Sequence, residues 1–269
     1  MVKNLYPLTE EEFDKEIGRL TKTYKDQADQ LERAYSENDP VSWRKHPLSS
    51  LTPLFLSHLT TNLISLSNGR SMKPRILDLG CGAGEKTDKL RSFSIHITGV
   101  DNIDKPLKEA RKLARRRILD STMRILKADI LDLPFKDKTF DGAHDYLSFL
   151  HIVREDWPKY IRSVHRVLKK GAPLLIVTFS GNDIDFYGYP INKINERGII
   201  FSDKNYKGDK QKVAHLINSY FYFPKEKEVR SEFKKNFEIL EMVEILHPLH
   251  SESVDHKYRK LWHILLKKR

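Results

Sequence analysis

Short apolar runs rich in Ile, Leu and Val alternate along most of the chain with stretches whose apolar positions recur every three or four residues. The runs predict strands at 74–79, 95–100, 123–128, 140–145, 172–179, 237–246 and 258–266. Helical periodicity fills 84–92, 103–119, 157–168 and 225–236. Within 103–119, Leu107, Ala110, Ala114 and Ile118 make one stripe, and Lys108, Arg111, Lys112, Arg115 and Arg116 take much of the remainder. Gly171 stands where the helix from Trp157 should stop. Strand and helix alternating in this way predict a parallel, doubly wound α/β sheet.

Two further helices precede that alternation. Thr9 as N-cap, Glu12 as its capping-box partner and a Leu8/Phe13 staple open the first, whose face is Phe13, Ile17, Leu20, Tyr24, Leu31 and Tyr35. The second starts near Thr52-Pro53 and runs to Asn68-Gly69, with Leu54, Phe55, Leu59, Leu63 and Leu66 inward. Residues 1–70 therefore read as a helical extension capping a domain at 71–269. That domain carries an irregular, aromatic insertion at 180–224, with Tyr187, Tyr189, Tyr220 and Phe221 as candidate pocket walls. The insertion follows the carboxyl end of a strand, where open α/β sheets bind ligands; a plain surface excursion is the alternative.

Composition bounds the function classes. A chain of 269 residues, 39% of them hydrophobic, can bury one good core. The single cysteine, Cys81, excludes an intramolecular disulfide and a cysteine zinc cluster, and it points to a reducing, cytoplasmic location. No apolar run is long enough to span a bilayer, so a soluble protein without membrane attachment is expected. The net charge of +11 admits a nucleic-acid partner. The wet helix faces account for much of it without one.

Candidate chemistry concentrates at Ile76-Leu77-Asp78-Leu79-Gly80-Cys81-Gly82-Ala83-Gly84, a strand breaking into a glycine turn that opens a helix. Alternate glycines let the backbone turn sharply and a ligand come close. The G-x-G-x-G spacing differs from the G-x-G-x-x-G of dinucleotide folds. About 20 residues on, the next strand ends in Asp101, where a carboxylate can accept from both hydroxyls of a ribose. A third strand ends in Asp129, followed by Ile130 and Leu133-Pro134-Phe135.

With Gly99-Val100-Asp101, Lys127-Ala128-Asp129-Ile130, Phe140-Asp141 and Val164-His165-Arg166-Val167-Leu168-Lys169-Lys170-Gly171 in the same order and intervals, residues 73–180 resemble the class I S-adenosylmethionine-dependent methyltransferases, of the type 11/25 kind. The resemblance implies a Rossmann-like, seven-stranded, mostly parallel sheet with an antiparallel last strand, and S-adenosylmethionine as cofactor. It implies contacts to the cofactor from Asp78, Gly80, Cys81, Gly82, Asp101, Asn102, Asp129 and Ile130. The loop around Trp43 resembles the Trp-containing entry of thiopurine- and tellurite-type methyltransferases and would close over the cofactor; anchoring that loop is its structural alternative. Asp129 has an alternative as a turn cap.

The fourth strand bears on the acceptor. Asp145 at its end and His151 six positions later resemble the small-molecule branch. There Asp145 would face the methionine portion, and His151 would take a proton from an acceptor hydroxyl, thiol or amine. A core histidine bonded to backbone is the other reading of His151, and His144 reads as structural. Tyr146 joins Tyr187 and Tyr189 as a substrate contact. No Asn/Asp-Pro-Pro-Tyr run and no second cysteine are present, which disfavours base-amine and pyrimidine-C6 methylation. No metal-ligand cluster stands out. The sequence thus points to methyl transfer onto O, N or S of a small molecule. Methylation of tRNA or rRNA is the alternative, and a non-catalytic partner subunit of the same fold is a third reading.

Overall fold

The computed structural model describes residues 48–67, 73–93, 95–115, 122–183, 185–186, 189–190, 198–201, 219–248 and 258–269. The predicted helix of residues 9–38, the Trp43 loop and Tyr187 lie outside them. Helix α1 spans Thr52–Ser67, strand β1 Arg75–Leu79, α2 Glu85–Arg91, β2 His96–Asp101, α3 Asp104–Arg115 and β3 Met123–Lys127. There follow β4 Gly142–Tyr146, α4 Trp157–Val167, β5 Pro173–Phe179, the short pairs β6 Asp185–Phe186 with β7 Tyr189–Pro190 and β8 Ile199–Phe201 with β9 Ser219–Phe221, then α5 Glu226–Phe233, β10 Phe237–Pro248 and β11 Tyr258–Lys268.

Seven strands form one sheet in the order β10-β11-β5-β4-β1-β2-β3. The pairs from β5 through β4, β1 and β2 to β3 are all parallel. β11 inserts antiparallel between β5 and β10, as the resemblance implied. Parallel neighbours need a crossover to return the chain, which is why helices separate them and cover both faces. Covered on both faces, β5 reads as an almost continuous apolar run with no alternation.

One face of the sheet packs Leu77, Leu79, Leu174 and Ile176 against Trp157, Tyr160, Phe233 and Phe149. The other packs Ile76, Ile97, Leu175 and Leu265 against Phe55 and Leu59 of α1 and Leu90 of α2. Leu54, expected inward, is 39% exposed, because α1 turns only its Phe55/Leu59 side to the sheet. β4 begins two residues later than predicted. Phe140 makes a lone parallel bridge to Leu168; Asp141 N still donates to Arg75 O (2.8 Å), and its carboxylate accepts from Arg75 N (2.8 Å) and Lys169 Nζ (2.6 Å). From the insertion, Tyr220 and Tyr222 are buried in the main core rather than lining an open wall.

Candidate active site

The carboxyl ends of β1, β2 and β3 are laced together by backbone and one carboxylate. Leaving β1, the chain passes through Gly80, Gly82 and Gly84, all with positive φ. Cys81 N donates to Val100 O (2.9 Å) and Gly84 N to Cys81 O (2.9 Å), closing the turn. Asp101 then accepts from Gly82 N on Oδ2 (2.9 Å) and from Ile103 N on Oδ1 (3.0 Å), while its own carbonyl accepts from Ala128 N (2.9 Å). One residue thereby joins the glycine turn to the end of β3.

Burial pushes the Asp101 carboxyl above its ordinary value, against the pull of the Ile103 and Gly82 amides. Each oxygen has accepted one hydrogen bond, and a carboxylate has about four lone-pair sites, so acceptor capacity for a diol remains. Asn102 follows, half-buried. Asp129 is exposed and accepts from Leu131 N (2.8 Å), shaping the turn beyond β3, and Ile130 is half-buried against the core. The donor and acceptor set along this edge fits a nucleoside.

At Gly80 the reason for glycine is inside the protein. With φ at 63°, a Cβ there would sit 2.3 Å from Ser148 Cβ. Ser148 Oγ in turn donates to Leu79 O (2.9 Å), so the turn after β4 locks onto the turn after β1. Cys81 is buried, and burial with the nearby Asp101 and Asp78 carboxylates raises its thiol well above the ordinary value.

The chain after β4 makes its bend at Leu147, in the left-handed region with φ 63°. Asp145 holds that bend. Its Oδ1 accepts from Ser148 N (3.0 Å) and Phe149 N (3.1 Å), and Oδ2 from Tyr160 Oη (2.8 Å). The side chain lies in the α4 layer, fully buried, and burial raises both its carboxyl and the Tyr160 phenol. Beyond it a single 3-10 turn, Phe149–His151, carries His151. His151 Nδ1 donates to Tyr220 O (2.9 Å), its ring packs on Phe221 (centroids 4.9 Å apart), and burial lowers its pKa to about 4. The imidazole is therefore neutral, with Nε2 carrying a lone pair. The backbone bond of the core-histidine reading is present, and the ring is half-buried.

Asp78 and His144 are register partners on β1 and β4, and their side chains leave the sheet on the face opposite Asp145. Asp78 Oδ1 lies 3.0 Å from His144 Nδ1, and Oδ2 accepts from Thr87 Oγ1 (2.5 Å). Tyr146, two residues on, is buried beneath Lys86, whose Nζ lies 4.6 Å from the ring centroid. Burial lowers the Lys86 pKa to about 8 and raises the Tyr146 phenol. On the same side, His263 Nε2 and His247 Nε2 are 2.8 Å apart, and Ser49 Oγ is 3.0 Å from His263 Nδ1. Tyr189 belongs to β7, paired with Phe186. Ser148, Lys86, Tyr160 and the His247/His263 pair carry no local sequence signal; only the packing of distant strands assembles them. Among the described residues no group of three or more His, Cys, Asp or Glu is placed to hold a metal ion. None of their helices is long and apolar enough to cross a membrane.

Against known proteins, residues 77–176 match the model of a methyltransferase domain. The O-methyltransferase rstn1 of Aspergillus nomiae is 32% identical over 103 residues, 38% of this chain and 45% of that protein. The chain spans about half the length of the curated relatives it matches. A SAM-dependent methyltransferase of Methanosarcina mazei superposes with a TM-score of 0.57 at 22% identity, covering 76% of this chain and 96% of that one. The 1,6-didemethyltoxoflavin-N1-methyltransferase of Burkholderia thailandensis, solved with its substrate and S-adenosylhomocysteine, gives 0.55 at 16% identity, covering 98% and 92%.

Proposed function

We propose that the protein, whose residues 77–176 match the model of a methyltransferase domain, transfers the methyl group of S-adenosylmethionine to an O, N or S atom of a small-molecule acceptor. The observation that carries this reading is Asp101, buried at the end of β2, tied to Gly82 N and with acceptor capacity left on both oxygens. The cofactor supplies a methyl carbon already activated by sulfonium, so the chain's task is to bind, align and exclude water. Asp101 would take the two ribose hydroxyls, and Asn102 would flank them. Asp129 and Ile130 would border the adenine, and Gly80, Cys81 and Gly82 the sulfur end. Trp43 belongs to the same set, as a residue closing over the cofactor from the helical extension.

His151 would serve the acceptor. Its tautomer is fixed by the Tyr220 carbonyl, which leaves Nε2 to accept the proton of an acceptor hydroxyl or amine as the methyl arrives. Asp145 acts through it. By holding Ser148 N and Phe149 N it fixes the strained bend at Leu147 and hence the 3-10 turn bearing His151, which makes it a positioning residue. Tyr146, Tyr187 and Tyr189 would contact the acceptor. The O- and N-methyltransferase names among the relatives support a small acceptor rather than RNA.

Calorimetry with S-adenosylmethionine and S-adenosylhomocysteine tests the cofactor half. Asp101→Ala removes two charge-assisted hydrogen bonds of roughly 1.5–3 kcal/mol each, so both ligands should weaken at least a hundredfold. Silence of both ligands with folded wild type would end the reading. Labelled methyl donor with a metabolite library, run beside bulk RNA, tests the acceptor half; label entering one RNA species alone would overturn the small-molecule assignment.

A further inference from the structure

The Tyr220 carbonyl and the Phe221 ring that hold the His151 imidazole both belong to β9, near the end of the insertion. The next residue continues the pairing, since Tyr222 N donates to Leu150 O (2.8 Å). The 3-10 turn and the closing strand of the insertion are thus joined at two adjacent residues of the turn. The Tyr222 side chain is buried edge-on to Trp157 (centroids 5.1 Å apart), and its Oη donates to Glu228 Oε1 (2.5 Å) on α5. Glu228 Oε2 accepts from Lys225 N (2.8 Å), closing the first turn of that helix. One helical turn on, and so on the same face, Glu232 accepts from Arg154 Nη2 (2.7 Å). Arg154 follows His151 by three residues, and its guanidinium lies over Trp157, 4.4 Å from the ring centroid. Val229 and Phe233, both buried, fix α5 itself to the core.

We propose that Glu228 and Glu232 clamp the His151 segment at two points, through Tyr222 and Arg154, and that the imidazole is oriented for the acceptor only while the end of the insertion is docked on α5. The inference rests on the reading of His151 as the acceptor's base and extends it to four positioning residues. Of the two holds, Tyr222 to Glu228 is the stronger, being buried and charge-assisted. Burial, with the Glu228 carboxylate, raises the Tyr222 phenol, so it stays a donor across the working pH range. The half-buried Arg154–Glu232 pair adds less alone, but stacking on Trp157 fixes its guanidinium. Both act on chemistry through one hydrogen bond. While Tyr220 O accepts from Nδ1, the proton stays there and Nε2 keeps its lone pair. Once the strand lifts, the carbonyl leaves with it and the ring can carry its proton on Nε2, where it cannot serve as a base. An acceptor packed against the insertion and the base that serves it are therefore set by one movement.

Nitrogen NMR of the histidine side chains tests the clamp on the full chain, with neither cofactor nor acceptor added. The His151 signals are assigned by their loss in His151→Gln. Wild type should show the Nδ1–H tautomer, unprotonated above about pH 5. Tyr222→Phe keeps the ring against Trp157 and removes only the hydroxyl, and Glu232→Ala removes the partner of Arg154. Each should mix in the Nε2–H tautomer, and the double variant should mix in more. Because burial outweighs the Tyr220 bond in setting the His151 pKa, undocking should also raise it, by about one unit toward 6.5. A merely structural role would lower Tm and leave the His151 signals as in wild type, and that result in folded variants overturns the clamp. Should Tyr222→Phe fail to fold, Glu232→Ala decides by the same signals. With an acceptor in hand, the pH profile of kcat should shift with the NMR pKa in these variants. Undiminished turnover in His151→Gln would end the base reading, whereas the NMR result judges the clamp separately.

Discussion

Gly80→Ala separates two reasons for a glycine in the first turn, ligand approach and internal packing. The new Cβ would meet Ser148 Cβ at 2.3 Å and Oγ at 2.7 Å, well inside van der Waals contact. It would also hold a left-handed residue at φ 63°, which costs roughly 1–2 kcal/mol for a residue with a Cβ. Relieving the clash means moving Ser148, which gives up its bond to Leu79 O, about 0.5–1.5 kcal/mol net. Together these come to roughly 1.5–3.5 kcal/mol. For a domain of this size each kcal/mol lowers Tm by about 2–4 °C, so a drop on the order of 3–14 °C is expected by differential scanning calorimetry without ligand. Because the obstacle is one side chain, Gly80→Ala should cost less in a Ser148→Gly background, where the bond to Leu79 O is already gone and only the backbone strain of roughly 1–2 kcal/mol is added. Wild-type Tm in Gly80→Ala, or a loss that Ser148→Gly leaves untouched, would refute the packing argument and return Gly80 to the ligand.

Two further outcomes follow from the buried titratable groups. His151, lowered from 6.5 to about 4, stays neutral in the fold while the unfolded chain protonates it below pH 6.5; the unfolded state then binds more protons, so its share of stability is intact above pH 6.5 and is lost as pH falls toward 4, by up to about 3 kcal/mol at 1.36 kcal/mol per pH unit. Urea midpoints at pH 7.5, 6 and 5 should therefore fall less steeply in His151→Gln than in wild type, and parallel slopes would contradict the assignment. Tyr160→Phe leaves Asp145 Oδ2 buried without its donor and should cost about 1–3 kcal/mol in the same assay while cofactor affinity stays within threefold; a variant as stable as wild type would mean the carboxylate finds another donor.

The glycine turn and the acidic ends of β2 and β3 were legible because each mark is local. Asp101 ends a predicted strand, and a residue at a strand's carboxyl end next to a glycine turn can bond that turn whatever the rest of the chain does, as its link to Gly82 N illustrates. The seven strands were legible for a similar reason, their apolar runs being bounded by turn residues. The insertion misled on one point. Aromatic residues in an irregular stretch suggest pocket walls, yet Tyr220 and Tyr222 fill the space between Phe149, Trp157 and α5, a packing demand no neighbouring residue announces.

Legibility ends at β4. Strand faces are read from alternation of apolar and polar positions, and β4 offers none, since all five of its residues are buried and two of them, His144 and Asp145, are ionisable neighbours pointing to opposite faces. A one-residue change of register would exchange their surroundings completely. Which of the two faces Asp78 is settled only by the pairing Asp78↔His144, with Leu79↔Asp145 one step on, and that pairing depends on a strand 66 residues away. Asp145 consequently reaches Tyr160 and the bend that carries His151, while His144 meets Asp78 beside Lys86. The parity of one buried strand thus decides which residue holds the bend that carries His151 and which pairs with Asp78.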